Sequence, residues 1–179
     1  MTTMNPPAQS KVKPSGQKVG RIDLKRIVVP IDFSIGADEA TEFAIDLAAK
    51  YDGALTLLHV LELTHDMRYM VTYPDFVALP LDIAELEASS RKEAEQKMIS
   101  LCAQIDNRGV AARQVVCVGF AATEIIRLAE EEKADCIVIS THGYSGLTHF
   151  LLGSTAERVI RHATCPVMVV RMKDNKSKS

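Results

Sequence analysis

The sequence predicts an α/β domain built on a doubly wound, five-stranded parallel sheet with helices on both faces. Short continuous apolar runs, typical of strands buried on both faces, recur along the chain and alternate with longer segments of helical spacing. The turns between the first elements are short, as in a βαβ unit. With 179 residues, 47% of them apolar, the chain is long enough for one domain with a full-sized core.

The first βαβ unit begins with an apolar run at residues 27–31. A helical pattern over 38–50 follows, Asp52-Gly53 closes it, and residues 54–60 form the second predicted strand. Asp32 stands at the carboxyl end of the first strand, where open α/β sheets place ligands. Its carboxylate could therefore accept hydrogen bonds from ribose hydroxyls or a metal-bound water, or it could cap the next helix. Position alone leaves these roles open.

The remaining elements continue the alternation and are, in order, a helix over 84–105, a strand over 112–118, a helix over 122–133, a strand over 135–139, a helix over 155–162 and a strand over 167–170. The last strand is wholly apolar and is expected at a sheet edge, which favours a dimer joined there. Residues 61–83 break the pattern, as a lid or a partner-binding loop would. We predict disordered tails at 1–22 and 173–179 around a domain at 23–172.

Composition argues against several classes of function. A net charge of −2 gives no electrostatic case for binding nucleic acid or an anionic membrane surface. The four cysteines and five histidines are scattered without ligand spacing, so no metal site is predicted and the thiols are expected to be buried and reduced. The sequence shows neither a membrane-spanning run nor a hydrophobic signal core, which favours a cytoplasmic protein without membrane partners.

The fourth strand ends at Ser140 and gives way to a glycine-bearing turn that leads into the helix near Thr155. Unpaired N–H groups at a helix start, together with the helix dipole, favour an anion such as a nucleotide phosphate. The glycines could equally serve as turn residues, and Gly153-Ser154 could be an ordinary helix cap. The chain has neither a Gly-Lys-Ser/Thr motif nor a Gly-x-Gly-x-x-Gly after its first strand, so the better-known phosphate motifs do not apply.

Several short motifs also occur in a fixed order and spacing. They are Val29-Pro30-Ile31-Asp32-Phe33-Ser34, Leu58-His59-Val60, the turn at Gly119, Ser140-Thr141-His142-Gly143, Leu152-Gly153-Ser154-Thr155-Ala156-Glu157-Arg158-Val159 and Cys165-Pro166-Val167. Together they resemble the universal stress protein family over about residues 24–172. The resemblance implies a Rossmann-like sheet of strand order 3-2-1-4-5 and a homodimer joined through the last strand, Val167 to Arg171.

One subgroup of that family binds ATP and carries the motif Gly-x2-Gly-x9-Gly-(Ser/Thr). Here Gly143, the nine residues after it, Gly153 and Ser154 match the motif, whereas Ser140 stands in place of the first glycine. Glycine lets a ligand approach the backbone closely, and the Cβ of a serine limits that approach. By resemblance, Asp32 lies near the ribose, the Val60 backbone meets the adenine, and the matching glycines surround the triphosphate.

The nucleotide-binding residues that the resemblance implies are Pro30, Ile31, Asp32, Val60, Ile139, Ser140, His142, Gly143, Gly153, Ser154 and Thr155. The implied ligand is ATP, with Mg²⁺ as its companion ion. No catalytic residue is assigned, because no set of groups is arranged to position water and neutralise charge. The implied function is a dimeric, ATP-binding regulator of the stress response that acts on a protein partner, with little or no hydrolysis. A nucleotide-free dimeric interaction module, favoured by Ser140, and a slow ATPase are the alternatives.

Overall fold

The computed structural model describes residues 23–62, 83–141 and 152–171, with the backbone alone at 83–86. The strands are β1 (Arg26–Pro30), β2 (Ala54–Glu62), β3 (Ala111–Gly119), β4 (Cys136–Ser140) and β5 (Val167–Val170). The helices are α1 (Ile35–Tyr51), α2 (Ile83–Asp106), α3 (Ala121–Glu131) and α4 (Ser154–His162). The predicted tails and residues 63–82 of the predicted loop lie outside the described residues, so the boundaries of the domain stay a prediction.

The five strands form one parallel sheet in the order β3-β2-β1-β4-β5. The predicted fold class and strand order are confirmed. Central strand β1 is buried on both faces: Ile27 and Val29 pack with α1 and α2, and Val28 packs with α3 and α4. Burying a side chain of this kind stabilises the fold by about 1.5–3 kcal/mol, which explains why β1 is a continuous apolar run. Among the described helices, none is long and apolar enough to cross a bilayer.

Local capping and pairing move some element boundaries away from those predicted. Helix α1 starts at Ile35, three residues before its predicted start at 38, because the Ser34 hydroxyl accepts a hydrogen bond from the Ala37 N–H at 3.2 Å. Strand β2 runs on to Glu62, which pairs with Gly119 of β3. That extension places a carboxylate at the carboxyl edge of the sheet.

Helix α1 ends at a left-handed residue, and this residue is Asp52 with φ 51° rather than the following glycine. Gly53 is needed for a different reason. A Cβ at this position would lie 2.3 Å from the Leu24 carbonyl oxygen, far inside van der Waals contact. The close approach lets the Ala54 N–H donate to the Lys25 carbonyl at 2.8 Å, where β2 begins beside β1.

The Asp135 carboxylate joins the starts of β1 and β4 at the amino edge of the sheet. It accepts hydrogen bonds from the backbone N–H groups of Lys25 and Arg26, at 3.0 and 2.8 Å, and from the Arg26 guanidinium at 3.0 Å. Burial acts to raise the pKa of Asp135, but these hydrogen bonds outweigh it and the pKa lies below its ordinary value. The ionised carboxylate is therefore the form that the fold prefers.

Replacing Asp135 with asparagine is expected to lower the free energy of unfolding at pH 7 by about 1.5–3 kcal/mol, the usual worth of hydrogen bonds to a charged group. Because folding depresses the pKa, this stabilisation is present above the unfolded carboxyl pKa of about 3.9 and is lost as pH falls through the lower folded value. Urea unfolding of both proteins at pH 7 and pH 3 measures the difference. Glu93→Gln also removes a carboxylate, but from an exposed helical ion pair, so it is the control for the loss of a surface charge. It should lower the free energy of unfolding less than Asp135→Asn does. An Asp135→Asn difference that is equal at both pH values contradicts the assignment.

Candidate functional site

A cleft of about 480 Å³ opens at the carboxyl edge of the sheet, between the strand ends and the N-termini of α3 and α4. Nine of the eleven residues expected at a nucleotide site line it: Pro30, Ile31, Asp32, Val60, Ile139, Ser140, Gly153, Ser154 and Thr155. The other two, His142 and Gly143, lie outside the described residues. Six lining residues were not predicted: Leu58, Glu62, Ala121, Ile125, Thr141 and Ala156. The fold therefore brings together segments that are more than 100 residues apart in the chain.

The N-terminus of α4 forms one side of the cleft. Gly153 is the residue at the helix N-cap, with φ −59° and ψ 147°, and it makes no side-chain capping bond. Ser154 is already the first helical residue, so the N-cap position of the Gly153-Ser154 pair belongs to Gly153. The Gly153 N–H donates to the Thr141 carbonyl at 2.8 Å, which ties the helix start to the end of β4. Within the described part of the chain, no side chain caps the first-turn N–H groups at this edge of the cleft.

Asp32 lies next to this helix start, at the end of the central strand β1. Its Oδ1 atom accepts hydrogen bonds from the Ser34 N–H at 3.0 Å and the Ser34 hydroxyl at 2.5 Å. Ser34, not Asp32, caps helix α1, so Asp32 orients the cap instead of providing it. Its second oxygen, Oδ2, has no hydrogen-bond partner among the described residues and retains its acceptor capacity.

The turn that carries Asp32 is held from the opposite face of the sheet. Phe33 has a left-handed backbone with φ 60°, a conformation that costs a non-glycine residue about 1–2 kcal/mol. Its ring packs on the His59 ring with centroids 4.7 Å apart, and the Lys97 ammonium lies 5.3 Å from the Phe33 centroid. His59 Nδ1 lies 2.7 Å from the Ile31 carbonyl oxygen, so Nδ1 carries the hydrogen and donates it. These contacts offset the strain and fix the direction of the Asp32 side chain.

The far side of the cleft has a different chemical character. Leu58, in the middle of β2, and Ile125, near the start of α3, are both buried and form an apolar wall. Glu62 Oε1 accepts a hydrogen bond from the Ala121 N–H, the first helical N–H of α3, at 3.2 Å. Because the strands run in the order β2-β1-β4, Asp32 stands between this apolar side and the helix start of α4. From β4 to β2, the cleft therefore presents the backbone N–H donors of α4, then the Asp32 carboxylate, and then the apolar wall.

The chain is similar to known proteins over most of its length. The model of the universal stress protein family matches residues 23–171 of the chain. Universal stress protein MJ0531 of Methanocaldococcus jannaschii is 36% identical over 152 residues, which cover 82% of each protein. Universal stress protein A homolog 1 of Coxiella burnetii is 33% identical over 150 residues, covering 84% of this chain and 98% of that one.

Solved structures show the same architecture. The structure of MJ0577 of Methanocaldococcus jannaschii superposes with a TM-score of 0.71 at 30% identity, over 85% of this chain and 99% of that chain. A universal stress protein in complex with cAMP and one from Archaeoglobus fulgidus in complex with dAMP superpose with TM-scores of 0.54 and 0.55. Each covers 83% of this chain and 98% of the other, at 21% and 20% identity, which is a likeness of fold. The extent of the family match and the identity to MJ0531 show that this chain belongs to the universal stress protein family.

Proposed function

We propose that the cleft binds ATP, together with Mg²⁺, and that the protein is a regulator that hydrolyses the nucleotide slowly or not at all. One observation carries the proposal: the start of α4, which has no side-chain cap among the described residues, opens into the same cleft as the Asp32 carboxylate. Backbone N–H groups and the helix dipole at such a terminus favour phosphate. A volume of about 480 Å³ suits a small-molecule ligand.

The chemistry of the cleft orients the nucleotide. Phosphate oxygens would accept hydrogen bonds from the first turn of α4, at Ser154 and Thr155. The free Asp32 Oδ2 would accept from ribose hydroxyls, and the base would lie against Leu58, Val60 and Ile125. His142 and Gly143, outside the described residues, would complete the phosphate end. In this arrangement Mg²⁺ would neutralise part of the phosphate charge.

Binding without rapid turnover is consistent with the donors that would hold the phosphates. They are neutral backbone N–H groups of a helix terminus, whereas phosphoryl transfer is accelerated by cationic groups that stabilise the charge of the transition state. The two ionisable side chains on the described lining, Asp32 and Glu62, are both carboxylates. A slow ATPase therefore stays the weaker alternative.

We further propose that the protein acts as a homodimer joined through β5 and that it binds a regulatory protein partner. β5 is an edge strand of four apolar residues, and Val169 is 38% exposed there. The Thr141 N–H donates to the Val170 carbonyl at 3.0 Å, so a residue that lines the cleft is bonded directly to the edge strand. Through this hydrogen bond, a nucleotide in the cleft would affect the strand that joins the proposed dimer.

Ser140 favours the other candidate, a dimeric module without a nucleotide. It lines the cleft at the end of β4, where the ATP-binding motif has its first glycine, and its Cβ occupies space that a phosphate could use. The intact Gly153-Ser154 pair and the helix start that follows it favour nucleotide binding.

The first experiment is to denature freshly purified protein, identify released small molecules by mass spectrometry, and titrate stripped protein calorimetrically with ATP and Mg²⁺. Bound ATP or a micromolar Kd supports the proposal, and phosphate release then measures turnover. A protein that is purified empty and gives no heat with millimolar ATP contradicts it and favours the nucleotide-free module.

His59 is expected to support nucleotide affinity without touching the ligand, because it holds the Asp32 turn through Ile31 and Phe33. His59→Ala should weaken ATP binding about tenfold, the equivalent of one lost hydrogen bond of about 1.4 kcal/mol. His59→Asn, whose amide can replace the Nδ1 donor, should recover part of the affinity.

A double-mutant cycle with Asp32→Ala separates positioning from general destabilisation. In the Asp32→Ala background, His59→Ala should cause little further loss of ATP affinity, although its effect on thermal stability persists. Equal losses of affinity in both backgrounds would show that His59 does not act through Asp32.

A further inference from the structure

We propose that Arg91 and Asp106 of α2 close the β3 edge of the sheet against pairing with β3 of a second copy of this chain. The surface concerned lies at the opposite edge of the sheet from β5. Neither nucleotide binding nor pairing through β5 enters into this closure, which therefore goes beyond the proposed function.

The edge at β3 is long and mostly apolar. In the part of the chain that the structure describes, β3 stands at one end of the sheet and pairs with β2 alone. Its nine residues include the apolar run Val115 to Val118, so it is a longer template than the four residues of β5. The outer backbone groups of an edge strand can pair with another chain, and a long apolar edge is prone to such association.

Two side chains of α2 occupy backbone groups on the outer side of β3. Asp106 Oδ1 accepts a hydrogen bond from the Ala112 N–H at 2.9 Å, and the Arg91 guanidinium donates to the Val116 carbonyl at 3.3 Å. Backbone groups of successive residues in a strand point alternately to its two sides, so Ala112 and Val116, four residues apart, direct theirs to the same side. Because both groups bond to α2 instead of β2, this side is the outer edge.

The two occupied groups are the ones that would bond each other if β3 paired with its own copy. When two β3 strands pair antiparallel about a two-fold axis at Gln114, Ala112 of each copy lies opposite Val116 of the other. Opposite residues whose backbone groups face the partner strand exchange both of their N–H···O=C bonds. The Ala112 N–H of one copy would therefore donate to the Val116 carbonyl of the other, and the two-fold axis would repeat this bond.

Hydrogen bonding favours the closed edge. Pairing would break two bonds to charged side chains in each copy, at Asp106 and Arg91, and would form two backbone bonds between the copies in their place. Hydrogen bonds to ionised groups are also stronger than those between neutral groups. Because β3 and β5 are opposite edges, a protein that paired through both would build an open-ended sheet. Closure of β3 leaves β5 as the edge available for assembly.

The test is the double variant Arg91→Ala/Asp106→Ala, compared with wild type by sedimentation velocity over a range of protein concentrations. With both backbone groups free, we expect larger species, with at least about a doubling of the sedimenting mass at concentrations where wild type keeps its size. Lys92→Ala/Glu95→Ala is the matched control. It removes one positive and one negative charge from the same helix, but neither side chain is hydrogen-bonded to β3, so it should sediment as wild type does.

Gln114→Pro identifies the strand through which the variant associates. The Gln114 N–H points to the same outer side as that of Ala112, so a proline there removes an edge donor without taking a bond from β2. Added to the double variant, it should restore the wild-type sedimenting mass with an unchanged circular-dichroism spectrum. Asp106→Ala alone, which frees only the Ala112 N–H, is the milder variant if the double variant does not fold. Its mass should lie above that of wild type.

The outcomes decide the role of α2 at this edge. A folded double variant that keeps the wild-type size at every concentration overturns the proposal, as does a folded Asp106→Ala of wild-type size when the double variant does not fold. Association that persists with a folded Gln114→Pro overturns it as well, because the larger species would then form elsewhere. The measurement uses no nucleotide and compares each variant with wild type, so it is decided whether or not the cleft binds ATP.

Discussion

Replacing Gly153 with aspartate is expected to weaken ATP binding at least about a hundredfold, or about 2.7 kcal/mol, while the fold keeps or slightly gains stability. Gly153 occupies the N-cap of α4 with φ −59° and ψ 147°, backbone angles that an aspartate adopts without strain. Aspartate is a preferred N-cap residue, and its negative charge interacts favourably with the helix dipole. The same carboxylate would occupy the donors that the phosphates need and would repel the phosphates.

Gly153→Asn is the matched control, because asparagine caps a helix about as well as aspartate but adds no charge. Calorimetric titration with ATP and thermal unfolding of wild type and both variants measure the two effects independently. We expect Asn to weaken binding less than Asp, and both variants to melt at or above the wild-type temperature. An unchanged Kd in folded Gly153→Asp would show that the phosphates do not lie at α4, and equal losses in both variants would show that charge is not the cause.

Much of the fold was accessible from sequence because the central strands β1 and β4 are buried on both faces. The continuous apolar runs that begin at Ile27 and Cys136 are typical of central strands, and both runs are buried in the sheet. Strand order came from the family resemblance, since alternation of strands and helices does not specify neighbours. The boundaries that moved did so through tertiary or capping contacts: Ser34 starts α1 early, and pairing with β3 extends β2 to Glu62.

The candidate site was predictable where a motif or a strand end marked it. Asp32 and Ser140 directly follow or end apolar runs, and Gly153 precedes a helical pattern, so each carries a local signal. Ile125 carried no such signal, because it reads as an ordinary core residue and joins the cleft only through the packing of α3 on the sheet. The left-handed backbone of Phe33 could not be predicted either, because a phenylalanine does not indicate a positive φ.

Replacing Val169 with glutamate is expected to convert the proposed dimer to monomer. Val169 is 38% exposed on β5, while its neighbours Met168 and Val170 pack against the core cluster beneath α1. Glutamate at this exposed position would leave the core contacts intact but bring like charges together across a paired edge. Charged side chains on an edge strand oppose pairing with another strand. Sedimentation equilibrium across a range of protein concentrations measures the change in association.

Ile99→Glu is the control for Val169→Glu. Ile99 is 57% exposed on α2, which packs on β2 and β3 at the opposite side of the sheet from β5. If β5 is the interface, Ile99→Glu stays dimeric while Val169→Glu sediments as a folded monomer with an unchanged circular-dichroism spectrum. Because Thr141 bonds to Val170, the monomer should also show altered ATP affinity. A Val169→Glu protein that remains dimeric would place the interface elsewhere, and an unchanged ATP affinity in a true monomer would separate nucleotide binding from assembly.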